Sequence, residues 1–301
     1  MSSPPPADAG ALSAPTPAQP ALGNVRAELD RIDDAMHDLL MERAAVVGRL
    51  AASRVKGRSA FRPGREAAIL RRLLARHRGG LPPAAVARVW REIVSAGAAM
   101  QGSMAVAVCE MPDGSQFTAA AREHFGALVP VRVHRTPAQA IREVSAGHAV
   151  AAVLPLPRED EPPAAAWWTA LLHKDDPRIS VVARLPFWAP RPEGAPDMQA
   201  LLVSAAPPDP SGDDRSLLGF ELSAEISRAR LNAALSTAGF TAGPLILRRD
   251  RGAAQAVADV RGFVADGDPR LAAIPGLGRP PVVLGAYAVP FRPPAAEGAG
   301  R

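Results

Sequence analysis

NVRAELDRIDDAMHDLLMERAAVVGRLAAS, residues 24–53, reads as one long amphipathic helix with a cation in its apolar stripe. Val25, Leu29, Ile32, Met36, Leu39, Val46 and Leu50 recur at steps of three and four, the spacing of a buried bundle face. The position the rhythm leaves between Leu39 and Val46 is Arg43. An unpaired guanidinium on a buried face costs several kcal/mol or more, so Arg43 needs a partner. About 30 residues at 1.5 Å each span about 45 Å, too long for a compact three-helix monomer. A second copy alongside would cover the stripe, which predicts a homodimer.

The remaining composition bounds the class. At 301 residues and 48% hydrophobic, the chain is long enough for about two domains with a sizeable core. The net charge of +5 comes from arginines interleaved with Asp and Glu, without a basic block. With one tyrosine and few other aromatics there is little to stack bases on, so nucleic acid is not the expected partner. The single cysteine, Cys109, excludes an internal disulfide framework and a multi-cysteine metal site, and no metal or cofactor is expected. No run of about 18 apolar residues is present to cross a membrane. The Pro/Ala-rich residues 1–23 lack the basic start and apolar centre of a secretory signal. They read as a disordered leader, residues 293–301 as a disordered tail, and the chain as cytoplasmic.

Two further helices follow a loop around Lys56 to Pro63: REAAILRRLLARHR, stopped by Gly79 and Gly80, and LPPAAVARVWREIVSAGAAMQG, with Pro82 and Pro83 in its first turn. Residues 24–102 are therefore a helical domain. From 103 to 207 short apolar runs alternate with helical ones, MAVAVCEM, FTAAAREHFG, VPVRVHR and PAQAIREVSAG, which predicts a parallel α/β lobe. Residues 213–292 read as βαββαβ, a small helix-on-sheet module. The fold class is multidomain, α followed by α/β.

Polar residues interrupt the apolar faces of all three helices. Arg54 lies eleven residues after Arg43 and so shares its face. Glu66 shares a face with Ile69, Leu70 and Leu73, with Arg65 on the neighbouring stripe, and Gln101 ends the apolar face of the third helix four residues after Gly97. Converged, they form a pocket with guanidinium forks for carboxylates, a carboxylate for a hydroxyl and an amide for an oxygen. Taken singly, Arg43 and Glu66 also suit a structural ion pair, and Gln101 a frayed helix end.

The order Arg26, IDDAMHDLLMER, Arg54, RPGRE and WREIVSAGAAMQ resembles the all-helical chorismate mutase family across nearly the whole segment. The resemblance implies a three-helix bundle in an intertwined dimer that rearranges chorismate to prephenate. By position it places Arg26 in the partner's site, with Arg43 and Arg65 binding substrate, Glu66 holding its hydroxyl, and Arg54 and Gln101 at the ether oxygen. The family's usual lysine is Arg54, with Lys56 two residues on. A small polar residue is replaced by Gly97, and a loop aspartate by Arg62.

Downstream, GSQFTAAAREHFG and AIREVSAGHAVAAVLPLP resemble a shortened prephenate dehydratase, and the βαββαβ unit resembles an ACT module. The dehydratase's Thr-Arg-Phe triplet falls on Gln199, Ala200 and Leu201, and its Glu-Asn pair on Pro157 and Arg158, so this region is expected to be inactive. The ACT resemblance implies at most an aromatic amino acid as a weak effector, because its ligand turns align with Ala229, Arg230 and Leu231 and with Leu247–Asp250, where the motifs are broken. The first expectation is a chorismate mutase with a degenerate extension. The rivals are a bifunctional mutase/dehydratase and a non-catalytic sensor of an aromatic metabolite.

Overall fold

The computed structural model describes residues 22–53, 60–102, 104–110, 114–189, 198–250 and 252–292. The leader up to residue 21, Arg54, Lys56 and the tail from residue 293 lie outside the described residues. Contacts divide the chain into two units, Met1–Ala52 and Ser53–Arg301.

The first unit carries α1, Leu22–Ala52, 31 residues long, beginning two residues before the expected start. None of its residues is buried. The stripe from Val25 to Leu50 is apolar but 39–65% exposed, so the α1 face that the periodicity marks as a core face is uncovered in a single chain.

The second unit begins with α2 (Pro63–Ala75) and α3 (Pro83–Ala99). There follow β1 (Val106–Cys109), α4 (Gln116–Phe125), β2 (Val131–His134), α5 (Pro137–Ser145) and β3 (Ala151–Pro155). A 3-10 helix, Trp167–His173, leads to β4 (Ser180–Leu185) and β5 (Ala200–Ser204). The chain continues through β6 (Asp214–Ser223), α6 (Arg228–Thr237), β7 (Ala242–Asp250), β8 (Ala253–Arg261), α7 (Pro269–Ala272) and β9 (Val282–Ala288).

The nine described strands form one sheet in the order β2-β1-β3-β5-β4-β9-β6-β8-β7. The expected parallel lobe is mixed. β1 is parallel to β2 and β3, but β5 lies between β3 and β4 and is antiparallel to both. Strands β4 and β5 are successive in the chain and adjacent in the sheet, a connection that favours antiparallel pairing over the crossover a parallel pair needs. From β6 to β9 the βαββαβ unit is as expected, each neighbouring pair antiparallel in the order β9-β6-β8-β7.

Two expected boundaries are not where the contacts divide. The lobe and the βαββαβ unit are joined edge to edge, because β4 pairs parallel with β9 through Val181 and Gly285. The helices α2 and α3 also belong with the sheet: α2 packs on β4 and β9, and α3 on α4. Phe61 and Ala98 enter the core formed by α4 and one face of β1, β3, β4 and β5. On the opposite face, the two tryptophans of the 3-10 helix pack with Leu201, Leu217 and Tyr287, covering the seam from one side.

Gly285 is the tightest point of that seam. Its φ is +141°, and a Cβ there would lie 2.1 Å from the carbonyl oxygen of Val181. A Gly285→Ala variant must either strain its backbone or part β4 from β9, so it is expected to lose more than about 2 kcal/mol of stability. Urea unfolding measures this; an unchanged midpoint would show the seam to be dispensable.

Candidate functional site

The candidate residues are divided between the two units. Arg26, exposed, and Arg43, half-buried, are carried by α1. Arg65, Glu66, Gly97 and Gln101 belong to the second unit.

α2 starts in an unusual way. Arg62, at the cap position, makes no side-chain cap bond, and Pro63 opens the first turn. The amides of that turn are satisfied from far along the chain: Asp209 accepts from Gly64 N at 3.0 Å and from Arg65 N at 3.1 Å. Its carboxylate also pairs with the Arg62 guanidinium at 3.1 Å. An anion at a helix N-terminus is favoured by the orphan N–H groups and the helix dipole, so Asp209 is the cap that Arg62 does not provide. Gly64 permits the approach, since a Cβ would lie 2.0 Å from the Asp209 carbonyl oxygen. One helical turn beyond the buried Ala67, Arg71 donates to the carbonyls of Asp213 at 2.9 Å and Val289 at 2.6 Å and to Ser211 Oγ at 2.7 Å.

Glu66 faces α3. Its Oε2 accepts from Arg91 Nη1 at 3.1 Å, and both side chains are close to fully enclosed, at 13% and 9% exposure. Burial pushes the Glu66 carboxyl up to about 7, an effect that outweighs the attraction of Arg91 and is reinforced by the charge of Asp209. Burial likewise lowers Arg91 from its ordinary value, against the pull of Glu66 and Glu123. Arg91 also lies over the Phe187 ring, 5.1 Å from its centroid. Beside it, burial and then the Arg91 charge hold His124 well below the usual histidine range, so its imidazole is neutral. Its Nε2 is buried without a hydrogen-bond partner among the described residues. Arg91 and His124 line a cavity with Leu70, Arg88, Phe187 and Trp188, to which neither Glu66 nor Gln101 contributes.

Gln101 lies just beyond the end of α3 and donates from Nε2 to Gly97 O at 2.9 Å, so these two candidates are brought together. Arg91, the partner of Glu66, is ten residues earlier, about 15 Å along the helix axis. Arg65 is exposed and contributes its backbone N–H to Asp209. Sequence reasoning missed Arg91 and Asp209. Arg91 has the periodicity of a buried face but a charged side chain, which is the one signal available; Asp209 sits in a proline-rich loop and gives none.

Gln199, Ala200 and Leu201, where the resemblance puts the dehydratase triplet, carry no acid or base. Ala200 and Leu201 are buried in β5, and Gln199 accepts from Arg184 on the neighbouring strand. Arg158 is paired with Asp160 at the surface. Among the described residues no group of three or more His, Cys, Asp or Glu could hold a metal ion, and no helix is long and apolar enough to cross a membrane.

Residues 25–102 match the family model for chorismate mutase type II. The helical segment is a domain of that kind, an isomerase family, and a mixed α/β region follows it. The bifunctional chorismate mutase/prephenate dehydratase of Stutzerimonas stutzeri is 33% identical over 143 residues, covering 46% of this chain and 39% of that protein. The protein of the same description from Pseudomonas aeruginosa is 32% identical over 151 residues, 48% of this chain and 40% of its own. The matched part thus spans about two fifths of these curated relatives. A prephenate dehydratase structure from Arthrobacter aurescens, in complex with L-Phe, superposes with a TM-score of 0.46 at 13% identity, covering 65% of this chain and 94% of that one.

The raised Glu66 value has a thermodynamic consequence. Between its ordinary value of 4.5 and about 7, the folded state holds a proton that the unfolded chain has released. Stability therefore falls as pH rises through that window. Glu66→Gln, which cannot ionise, is expected to lose this part of the slope. Urea midpoints at pH 5 and 7.5 measure it, and identical slopes in the two proteins would place the Glu66 carboxyl in a solvated setting.

Proposed function

We propose that this chain is a chorismate mutase that acts as a homodimer in aromatic amino acid biosynthesis in the cytoplasm, with an α/β extension that does not dehydrate prephenate. The match of residues 25–102 to the family carries this reading. The reaction suits the residue types. As the ether C–O bond breaks and a C–C bond forms within one molecule, no proton, nucleophile or metal is required. The protein supplies a folded substrate conformer and donors for the charge that grows on the ether oxygen.

The uncovered stripe of α1 supports the dimer. Arg26 and Arg43 are 17 residues apart on one helix, about 26 Å along its axis, farther than one small substrate can span. Helices from two chains running in opposite directions bring an Arg26 level with the other chain's Arg43. In this reading Arg26, Arg43 and Arg65 bind the substrate carboxylates, Glu66 the hydroxyl, and Gln101 with Arg54 or Lys56 the ether oxygen, beside Gly97. Glu66 then exchanges its contact with Arg91 for the substrate.

Arg43→Ala is expected to reduce kcat/KM for prephenate formation at least 30-fold, the effect of losing a desolvated charged contact of about 2 to 5 kcal/mol, whereas Arg49→Ala, off the stripe, changes it little. Equal activities in the two folded variants would return Arg43 to a structural role.

The second reading, a bifunctional mutase/dehydratase, is favoured by alignments to bifunctional relatives that are too long to end at residue 102. Against it stand Gln199, Ala200 and Leu201, which offer no hydroxyl or cation to a departing hydroxyl. Purified protein is expected to form no phenylpyruvate from prephenate at neutral pH. Turnover that survives Arg43→Ala would establish the bifunctional reading.

A further inference from the structure

A groove lies over the seam of the sheet, where its two halves meet. Its apolar walls include Leu156, Leu201, Leu217, Ile246 and Val257, and its volume is about 160 Å³. That is the size of a cavity of about 150 Å³ that accepts benzene. Arg184, Asp259 and Tyr287 supply its polar end.

These polar groups form a fixed network. Arg184 Nη1 donates to Tyr287 Oη at 3.1 Å, and Nη2 donates to the Gln199 carboxamide oxygen. The Tyr287 hydroxyl in turn donates to Asp259 Oδ2, and Asp259 Oδ1 accepts from Arg215 Nε at 2.6 Å. Burial, with the charge of Asp259, pushes Tyr287 up to about 12, so the hydroxyl keeps its proton at neutral pH. Arg184 Nη1 also lies 3.8 Å from Asp259 Oδ2, so two guanidinium groups share one carboxylate and the network carries one net positive charge. A guanidinium carries five N–H donors, more than its bonds to Tyr287 and Gln199 use among the described residues.

We propose that this groove binds a monocarboxylate bearing an apolar ring or chain of about six carbons, with the carboxylate on Arg184 and the apolar part on the walls. A planar guanidinium held by a tyrosine and an amide is already oriented for a carboxylate, so little side-chain entropy is lost on binding. A single excess cation sets the selectivity. The second charge of a dicarboxylate would face an apolar wall or Asp259, and a cationic ligand would meet Arg184. Because the walls come from β5, β6, β7 and β8 and from Leu156 just beyond β3, such a ligand bridges the two halves of the sheet.

The test is calorimetry on the full chain with 3-phenylpropionate, phenylsuccinate and phenethylamine, a readout independent of mutase activity. The monocarboxylate is expected to bind at least tenfold more tightly than the other two. Arg184→Gln is expected to weaken it at least tenfold, and Ile246→Trp, which fills the groove from a half-buried position, to abolish it. Should Arg184→Gln fail to fold, Ile246→Trp alone decides. Absence of binding, equal affinity for phenethylamine, or affinity unchanged in the folded variants would overturn the proposal.

Discussion

The carboxylate of Asp209 on the first turn of α2 ties that helix to the α/β region. It satisfies two orphan amides from a position 145 and 144 residues away in sequence. Arg71 adds a second connection farther along the helix, donating to Ser211, Asp213 and Val289. These contacts hold α2, and through the Glu66–Arg91 pair they fix α3 against it. α3, which carries Gly97 and leads to Gln101, is held as well by α4, just beyond which Ala127 N donates to Glu92 at 2.9 Å.

The buried ion pair is the costly part of this arrangement. Both partners shift towards their neutral forms because burial penalises each charge more than the other charge relieves it. Replacing the pair by apolar groups of similar shape would cost little stability, whereas removing one partner would leave an uncompensated buried charge. The neutral His124 beside it follows the same rule, since a second cation next to Arg91 meets repulsion on top of the penalty of burial.

What was legible in the sequence was local. The stripe of α1 needs only steps of three and four, and the βαββαβ order needs only the alternation of apolar runs with turns. The rest depended on distant partners. Nothing in the spacing around Glu66 distinguishes a carboxylate that meets a substrate from one that meets Arg91. The mixed sheet was missed because short apolar runs do not encode direction, and the seam was missed because a glycine in GAYAV reads as a weak point in a strand, not as the site where another backbone approaches. The resemblance to the mutase family added Arg26 and Lys56 to candidates that the interrupted apolar faces had already marked. It could not say that Arg62, standing where the family has an aspartate, would recover a carboxylate from Asp209.

The continuity of the sheet explains how the α/β region closes the strand edges between its two halves. A strand with an open edge offers unpaired N–H and C=O groups to other chains. Here β4 is covered by β5 on one side and by β9 on the other, so the first half of the sheet ends against the second instead of in solvent. The 3-10 helix then closes one face of the seam with Trp167 and Trp168, both buried. Packing along this seam depends on the close backbone approach at Gly285, where a Cβ would lie 2.1 Å from the Val181 carbonyl oxygen. The Arg184 network, which spans β4, β9, β8 and β6, links both halves as well.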